Sequence, residues 1–203
     1  MMHPKKIILA SNNNGKLLEL SQTLAPLNIQ LLPQSDYSIS DIEETGLSFV
    51  ENALLKARHA SSITKLPAIA DDSGLVVPAL NGAPGIYSAR YSGTNSNAQS
   101  NIKHLLKKMA NVTNRIAYFY CALVYVKHAL DPAPLISVGQ FYGTLLKEQK
   151  GNHGFGYDPI FFLKEYNQTA AELDASTKNQ ISHRAIASKA LLRLMKQKEI
   201  NAC

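Results

Sequence analysis

Two adjacent aspartates, Asp71 and Asp72, are the clearest candidates for chemistry in this sequence of 203 residues. They follow the apolar run 66–70 and precede Ser73 and Gly74, a pattern typical of a strand that stops on its carboxylates and then turns. In open α/β sheets, ligands bind at the carboxyl ends of the strands. Carboxylate oxygens suit Mg²⁺, which usually shares its coordination with water and substrate phosphates. For the dipeptide alone, the alternative is a solvated Asp-Asp turn.

A second candidate is the polar loop 11–16, which joins a predicted strand to the start of a predicted helix. Backbone N–H groups at a helix N-terminus, together with a lysine, form a site for an anion such as phosphate. The glycine spacing of a Walker A loop is absent from this segment. The alternative is an asparagine-rich turn that carries a surface lysine. The residues concerned are Ser11, Asn12, Asn13, Asn14, Gly15 and Lys16.

A predicted helix supplies a further cation, Lys56. Asn52, Lys56 and His59 are spaced to share one face of this helix. Glu43 and Glu44, just upstream, offer carboxylates that could join the two aspartates around a metal ion. Taken singly, a helical lysine and two loop glutamates are more often solvated surface groups.

Two later segments have the residue types that bind a nucleobase. In residues 154–159, the glycines permit a close approach, Phe155 offers a flat face and Asp158 offers acceptor oxygens. His183 and Arg184 open the last predicted helix, where cations oppose the helix dipole, and this suggests a ligand with acceptor atoms. The alternatives are core packing for Phe155 and a His-Arg pair that faces water.

The elements that must position these residues alternate between strand and helix patterns, which predicts an α/β fold with a mixed sheet. A capping box at Ser48 predicts a helix that starts at about Phe49. The run 115–127 is apolar at both parities, so we expect a central strand covered on both faces. Strands are predicted at 6–10, 29–32, 115–127, 135–146 and 159–163, and helices at 16–24, at 49–63 and after Ser182.

Composition narrows the classes of function. The net charge of +6 admits nucleic acid as a partner, but the lysines are scattered and an aromatic RNA-binding strand is missing, so we expect no stable nucleic-acid binding. Apolar runs are too short for a signal peptide or a membrane span, so we expect a cytoplasmic protein without membrane contact. Two cysteines, Cys121 and Cys203, form no disulfide framework, which fits a reducing compartment. The length fits one large domain over residues 1–203, or two small lobes.

Taken together and in order, six motifs resemble the inosine triphosphate pyrophosphatase family. The resemblance covers about residues 6–195. The motifs are Ser-x-Asn-x-x-Lys at 11–16, Phe-x-Glu-Asn-Ala-x-x-Lys-Ala at 49–57, Ala-Asp-Asp-Ser-Gly-Leu at 70–75, Gly-x-Pro-Gly-x-Tyr-Ser-Ala-Arg-Tyr at 82–91, Gly-Phe-Gly-Tyr-Asp-Pro at 154–159 and Ser-His-Arg at 182–184.

This resemblance implies an enzyme that hydrolyses dITP, ITP and XTP to the monophosphate and pyrophosphate. It implies an elongated α/β fold of two lobes, an active site in the cleft between the lobes and, usually, a homodimer. It implies Mg²⁺ as cofactor, held by Glu43 and Asp72, with Asp72 as the base that activates water. The substrate-binding residues that it implies are Ser11, Asn12, Asn13, Asn14, Gly15, Lys16, Lys56, Ser73, Phe155, Gly156, Tyr157, Asp158, Lys178, His183 and Arg184.

One position departs from the family pattern. Pro78 stands where relatives commonly have an acidic residue, so a carboxylate role there is in doubt, and we expect strand pairing to end nearby. Three alternatives to this enzyme stay open: a catalytically silent nucleotide sensor, an RNA-binding protein, and a broader nucleoside triphosphate pyrophosphatase that acts on modified pyrimidines. The intact carboxylate pair and both lysines favour an enzyme over a sensor.

Overall fold

A computed structural model describes residues 4–200 of the chain. Its strands are β1 (Lys5–Leu9), β2 (Ile29–Pro33), β3 (Ala68–Val76), β4 (Ile116–Val126), β5 (Leu135–Leu145), β6 (Phe161–Leu163) and β7 (Gln168–Thr169). Its helices are α1 (Asn14–Leu24), α2 (Phe49–Thr64), α3 (Ala98–Lys108), α4 (Ala175–Ile181) and α5 (His183–Ile200).

The strands form one seven-stranded sheet in the order β2-β1-β3-β4-β5-β6-β7. β1 pairs in parallel with both β2 and β3, whereas β6 pairs antiparallel with β5 and β7. Parallel and antiparallel pairs in one sheet, with helices in the connections, confirm the predicted mixed α/β class.

Two helices begin where they were predicted, whereas α1 begins at Asn14, two residues before its expected start. Ser48 Oγ accepts from the backbone N–H of Glu51 (3.3 Å), and the Ser48 hydroxyl donates to the Glu51 carboxylate (2.7 Å), so α2 starts at Phe49 as expected. α5 starts directly after Ser182, as predicted. The sequence reading missed α3, although Asn97 and Ser100 form a capping box at its start.

β3 corrects one expectation. The prediction that the strand stops at Asp71 and Asp72 was wrong, because β3 continues through both residues to Val76. Both aspartates are buried, and lysines contact their carboxylates, so the chain does not need to turn toward water at this point. The expected end of pairing near Pro78 is confirmed, since Pro78 begins a 3₁₀ helix two residues after the strand.

β4 and β6 correct two more details. β4 is central in the sheet, but its burial changes along its length. Residues 121–126 are buried on both faces, whereas Ile116 is 53% exposed. The expected strand at 159–163 begins only at Phe161, because Pro159 lies in a 3₁₀ turn, Asp158–Ile160. Proline suits the first turn of a helix and cannot donate to a sheet ladder.

The chain divides into two compact units. Unit 1 comprises Met1–Asp72, Cys121–Gly139 and Arg184–Cys203, and unit 2 comprises Ser73–Tyr120 and Gln140–His183. Each unit has a hydrophobic core of its own. The core of unit 1 includes Ile7, Leu9, Leu20, Leu24, Ile69, Cys121, Leu123 and Leu191. The core of unit 2 includes Leu75, Ile102, Leu105, Met109, Phe119, Leu145, Ile160 and Phe161.

Two expectations from composition can be compared with this fold. Within residues 4–200, none of the helices has the length and apolar character that a membrane span requires. Cys121 is a buried thiol in β4, and Cys203 lies outside the described residues.

Candidate active site

The buried carboxylate of Asp71 is paired with a lysine of the predicted phosphate loop. Lys16 Nζ donates to Asp71 Oδ1 at 2.9 Å and also lies 2.9 Å from Oδ2. The side chain of Asp71 is only 3% exposed, whereas that of Lys16 is 24% exposed. This pair holds a cation at the start of α1.

The loop 11–16 has the local structure that such a site needs. Asn13 is the N-cap of α1, and its Oδ1 accepts from the backbone N–H of Lys16 (3.1 Å). Ser11 Oγ accepts from the backbone N–H of Asn13 (3.2 Å). Residues 12–15 are exposed, so the first turn of α1 is open to a ligand.

Asp72 has a different set of neighbours, supplied mainly by α2. Asn52 Nδ2 donates to Asp72 Oδ2 (3.3 Å), and Lys56 Nζ lies 3.4 Å from Asp72 Oδ1. The same ammonium donates to Glu44 Oε1 at 2.8 Å. Lys56 therefore bridges two carboxylates, one from β3 and one from the acidic loop before α2.

Asn52 also belongs to this site. The sequence places it on the same helical face as Lys56, but it was not among the predicted substrate-binding residues. It is fully buried, and besides its bond to Asp72 its Oδ1 accepts from the backbone N–H of Gly46 at 2.8 Å. A Cβ at Gly46 would lie 2.6 Å from Glu51 Cβ, so glycine permits this close approach of the loop to α2. Asn52 thus links Asp72 to the loop that carries Glu44. The signal was its place one turn before Lys56 on the same helical face.

The two aspartates have opposite pKa shifts. Burial alone would raise the pKa of Asp71, but the charges of Lys16, Arg184 and Lys56 outweigh it and lower that pKa overall. Burial raises the pKa of Asp72, Glu44 adds to the rise, and Lys56 and Asn52 offset only part of it. Adjacent carboxylates with pKa values displaced in opposite directions are a common sign of divided roles in catalysis.

The two cations Lys56 and Arg184 both have raised pKa values. Burial by itself lowers the pKa of Lys56, yet Asp72, Glu44 and Asp71 together raise it, so Lys56 stays protonated. Arg184 donates through NH1 to Glu19 Oε2 (3.1 Å), and burial of its guanidinium is outweighed by Asp71 and Glu19, which raise its pKa. Glu19 was not among the predicted site residues, although it lies one turn after Lys16.

The donor set is compatible with a magnesium ion. No group of three or more His, Cys, Asp or Glu side chains that could hold a metal occurs among the described residues. Mg²⁺ does not require such a cage, because it usually binds one or two carboxylates and keeps water and phosphate as other ligands. Asp72 and Glu44 already share one cation, the ammonium of Lys56, so their oxygens can serve another. Glu43, the predicted partner, is exposed in this structure.

In unit 2, the predicted base-binding loop is built around Asp158. Its buried carboxylate accepts through Oδ2 from the backbone N–H of Phe155 (2.7 Å) and from Lys178 Nζ. The ammonium of Lys178 lies 4.6 Å from the centroid of the Phe155 ring. Phe155 is 60% exposed, so the alternative of core packing for this ring is wrong.

Two glycines of this loop have positive φ values. Gly154 has a φ of +80°, and a Cβ there would meet Asp158 Oδ2 and would lie 2.9 Å from Lys178 Nζ. Gly156 has a φ of +60°. A cavity of about 410 Å³ lies against the loop and is lined by Phe155, Gly154, Gly156 and residues of α3. This volume is within the range of small-molecule sites.

The remaining predicted residues are distributed over both units. His183, in unit 2, is 6% exposed, and its ring stacks on Phe119 with centroids 5.1 Å apart. The side chain of Arg184, in unit 1, is 13% exposed, so the alternative of a His-Arg pair facing water is wrong. Tyr157 is 4% exposed, with its hydroxyl bonded to a main-chain carbonyl. Ser73 lies in β3, partly exposed.

Comparisons with known proteins bear on this geometry. The model of the Ham1 family matches residues 7–194. The chain belongs to the Ham1 family. It is 58% identical over 193 residues to a dITP/XTP pyrophosphatase of Legionella pneumophila strain Lens, which covers 94% of this chain and 98% of that relative. It is 51% identical over 190 residues to a dITP/XTP pyrophosphatase of Escherichia coli K12, with 93% and 96% covered.

Solved structures of this family are similar to the whole described fold. A HAM1 protein from Coxiella burnetii superposes with a TM-score of 0.92 at 46% identity, covering 95% of this chain and 99% of that one. A nucleoside-triphosphatase / dITP/XTP pyrophosphatase from Mycobacterium abscessus gives a TM-score of 0.79 at 38% identity, with 94% and 99% covered. The predicted family and fold class are therefore confirmed.

Proposed function

We propose that this protein hydrolyses deaminated purine nucleoside triphosphates, namely dITP, ITP and XTP or dXTP, to the monophosphate and pyrophosphate. Such an activity keeps these nucleotides out of DNA and RNA. The observation that carries the proposal is the pair of buried aspartates with opposite pKa shifts, each contacted by its own lysine. Curated relatives that are named dITP/XTP pyrophosphatases and are up to 58% identical support an enzyme of the nucleoside triphosphate pyrophosphatase class.

In the proposed reaction, Asp72 is the general base. Its raised pKa makes it a better proton acceptor than an ordinary aspartate. It takes a proton from the attacking water, whose oxygen bonds to the α-phosphorus. The bond from the α-phosphorus to the oxygen that bridges the α- and β-phosphates breaks, and its electron pair leaves with pyrophosphate.

Lys16 and Lys56 stabilise the charge that gathers on the leaving pyrophosphate. Both ammonium groups are held by carboxylates, Lys16 by Asp71 and Lys56 by Glu44 and Asp72, so they are oriented before the substrate arrives. Residues 12–15 are exposed, and the backbone N–H groups at the start of α1 add a partial positive charge for the phosphates.

We propose Mg²⁺ as the cofactor. When bound, it supplies positive charge to the phosphate oxygens and lowers the pKa of coordinated water. Asp72 would be one ligand, and a glutamate of the Glu43-Glu44 pair would be the second. The resemblance implies Glu43, whereas Glu44 is the member whose carboxylate shares Lys56 with Asp72.

Selection of the base is assigned to residues 155–158, Lys178, His183 and Arg184. Phe155 offers an exposed ring for stacking, and Lys178 is a donor held beside that ring. Hypoxanthine and xanthine have an oxygen at C6, to which His183 and Arg184 can donate. Adenine has an amino group there and would leave these donors unpaired, at a cost of about 1–3 kcal/mol.

The experiment that tests the function is a substrate panel. Purified protein with Mg²⁺ is incubated with ITP, dITP, XTP, GTP and ATP, and the products are separated. We expect monophosphate and pyrophosphate from the first three only. Release of orthophosphate would contradict the proposed bond cleavage, and turnover of modified pyrimidine nucleotides would indicate the broader enzyme. Tight binding of ITP without turnover would indicate a nucleotide sensor.

Arg184→Ala tests the selection of the base. We expect the preference for ITP over ATP, measured as the ratio of kcat/KM values, to fall about tenfold to a hundredfold. Arg193→Ala is the matched control, because Arg193 is an exposed arginine of the same helix. An unchanged ratio in Arg184→Ala would contradict the role of Arg184.

A homodimer and a cytoplasmic location belong to the same proposal. They are suggested by the family resemblance and by the short apolar runs of the sequence. Sedimentation equilibrium of the purified protein measures the first, and fractionation of cells that express it measures the second.

A further inference from the structure

Ser88 is the centre of a hydrogen-bond network in unit 2 that the proposed mechanism does not use. Its hydroxyl accepts from the backbone N–H of Leu75 at 2.8 Å and donates to the carbonyl of Gly85 at 2.6 Å. Leu75 lies in β3, two residues after Ser73. Through its side chain, Ser88 therefore fixes the 3₁₀ segment Gly85–Arg90 against the end of β3.

The main-chain carbonyl of Ser88 makes the second half of the network. The hydroxyl of Tyr157 donates to it at 2.8 Å, and Asn101 Nδ2 donates to it at 3.4 Å. Asn101 also donates to the carbonyl of Ala89 (3.0 Å) and accepts from the backbone N–H of Ser92 (2.8 Å). Tyr157 and Asn101 are each 4% exposed, so these bonds form out of contact with bulk water.

The protonation state of the Tyr157 hydroxyl follows from its burial. Burial raises the pKa of this phenol far above its ordinary value, and Tyr91 adds to the rise. The hydroxyl therefore keeps its proton over the whole working pH range. A buried hydroxyl bonded to a main-chain carbonyl is not available to a substrate, so the side chain of Tyr157 has a role other than contact with the base.

That role follows from the loop to which Tyr157 belongs. Its neighbour Phe155 is 60% exposed, so packing gives the ring little support. Two hydrogen bonds within the turn hold the backbone of Phe155: its N–H donates to Asp158 Oδ2 (2.7 Å), and its carbonyl accepts from the N–H of Asp158 (3.3 Å). Tyr157 is the residue of this turn whose side chain extends into the core of unit 2.

We propose that Tyr157 and Ser88 are positioning residues for the recognition of the base. The bond from the Tyr157 hydroxyl to the Ser88 carbonyl ties the loop 155–158 to the segment that is itself tied to β3 after Ser73. The link fixes where Phe155, Asp158 and Lys178 meet a purine, and so sets how sharply purines are distinguished. This inference rests on the proposed function.

The test is Tyr157→Phe, which removes one hydroxyl and keeps the ring in the core. Loss of a buried hydrogen bond of this kind predicts a rise in KM for ITP of about five- to tenfold, with kcat within about twofold of wild type. The preference for ITP over ATP should fall by a similar factor, because the displaced loop no longer presents its donors correctly. Tyr142→Phe is the control, since Tyr142 is 58% exposed and its hydroxyl donates to Gln140.

A purely structural role for the bond gives a different result. In that case Tyr157→Phe lowers the midpoint of thermal unfolding, while KM and the ITP:ATP ratio of the folded protein equal those of wild type. That outcome would overturn the inference. Wild-type protein that hydrolyses none of the nucleotides would instead contradict the proposed function, so the two failures are distinguishable.

Ser88→Ala gives a second, independent variant. It removes the acceptor of the Leu75 N–H and should raise KM for ITP in the same direction as Tyr157→Phe. Because both changes act on the position of one segment, the double variant should be little worse than the more damaging single variant. Fully additive effects on KM and on the ITP:ATP ratio would show that the two residues act separately, against the inference.

Discussion

The carboxylates of the two units are used in contrasting ways. In unit 1, Asp71, Asp72 and Glu44 contact two lysines, and Arg184 with Glu19 adds a further ion pair, so several charges compensate one another within a small volume. In unit 2, Asp158 pairs with Lys178 beside an exposed aromatic ring. The first arrangement perturbs pKa values in both directions, and the second holds a donor and a flat surface in place.

This difference supports the division between chemistry and recognition of the base that we propose. Proton transfer and phosphate binding need opposed charges whose balance can change during a reaction. Recognition of a base needs rigid donors and a stacking surface, for which one ion pair is sufficient. Substitutions of the carboxylates and lysines in the charged cluster of unit 1 should therefore act mainly on kcat, and substitutions in the loop of unit 2 mainly on KM. Arg184, which we assign to the base, is the exception in unit 1.

Asp72→Asn is the strongest test of this division. Removal of the general base should lower kcat for ITP by about 10²–10⁴-fold, with a much smaller change in KM, because the substrate contacts remain. Steady-state kinetics at saturating Mg²⁺ measures the effect. Asp36→Asn is the control, since Asp36 is an exposed aspartate of unit 1. A kcat of Asp72→Asn near the wild-type value would contradict the role of Asp72 as general base.

The second prediction separates the two glutamates. Because the Glu44 carboxylate contacts Lys56 and Glu43 is exposed, Glu44→Gln should raise the Mg²⁺ concentration for half-maximal activity by about ten- to a hundredfold. Glu43→Gln should change it less than about twofold. Calorimetric titration of Mg²⁺ into each variant with a bound nucleotide gives a second readout. The reverse result would assign the metal to Glu43, as the family resemblance implies.

The third prediction concerns stability in metal-free protein. Folding lowers the pKa of Asp71, so its ionisation stabilises the fold above the unfolded pKa of about 3.9, and this contribution is lost as pH falls through the folded pKa. At pH 7, Asp71→Asn should lower the free energy of unfolding by about 1–3 kcal/mol.

Asp72 should behave with the opposite sign. Folding raises its pKa, so its contribution is favourable below the unfolded pKa and is lost as pH rises through the folded pKa. Asp72→Asn should therefore leave the free energy of unfolding at pH 7 unchanged or higher. Urea unfolding of both variants with EDTA present measures the pair. Equal destabilisation by the two substitutions would contradict the divided roles of these neighbours.

The smallest expected effect is in the recognition loop. Phe155→Ala should raise KM for ITP about tenfold through lost stacking, with kcat nearly unchanged. Stability should change by less than about 0.5 kcal/mol because the ring is mostly exposed. Tyr142→Ala, at another exposed aromatic residue of unit 2, should leave KM as in wild type. A large fall in kcat for Phe155→Ala would contradict the proposed division between chemistry in unit 1 and base recognition in unit 2.

Much of the fold can be predicted from the sequence because helix caps and strand and helix patterns depend on residues close together in the chain. Ser48 and Glu51 cap α2 through groups only three residues apart, and alternation of strand and helix patterns gives the fold class. The motifs likewise place Lys16, Asp72 and Phe155 among the candidate residues. Local signals failed for β3, which runs on through its two aspartates because lysines distant in sequence compensate them.

The sequence by itself determined the family, the mixed α/β class and most of the candidate residues, since these depend on residue types at short spacing. The tertiary structure decided how they are paired: Lys16 with Asp71, Lys56 with Asp72 and Glu44, and Tyr157 with Ser88. The residues of these pairs lie between 12 and 69 positions apart in the chain, beyond the reach of a local motif. Whether a carboxylate gains or loses affinity for its proton depends on such neighbours and on burial, and neither is encoded in local spacing.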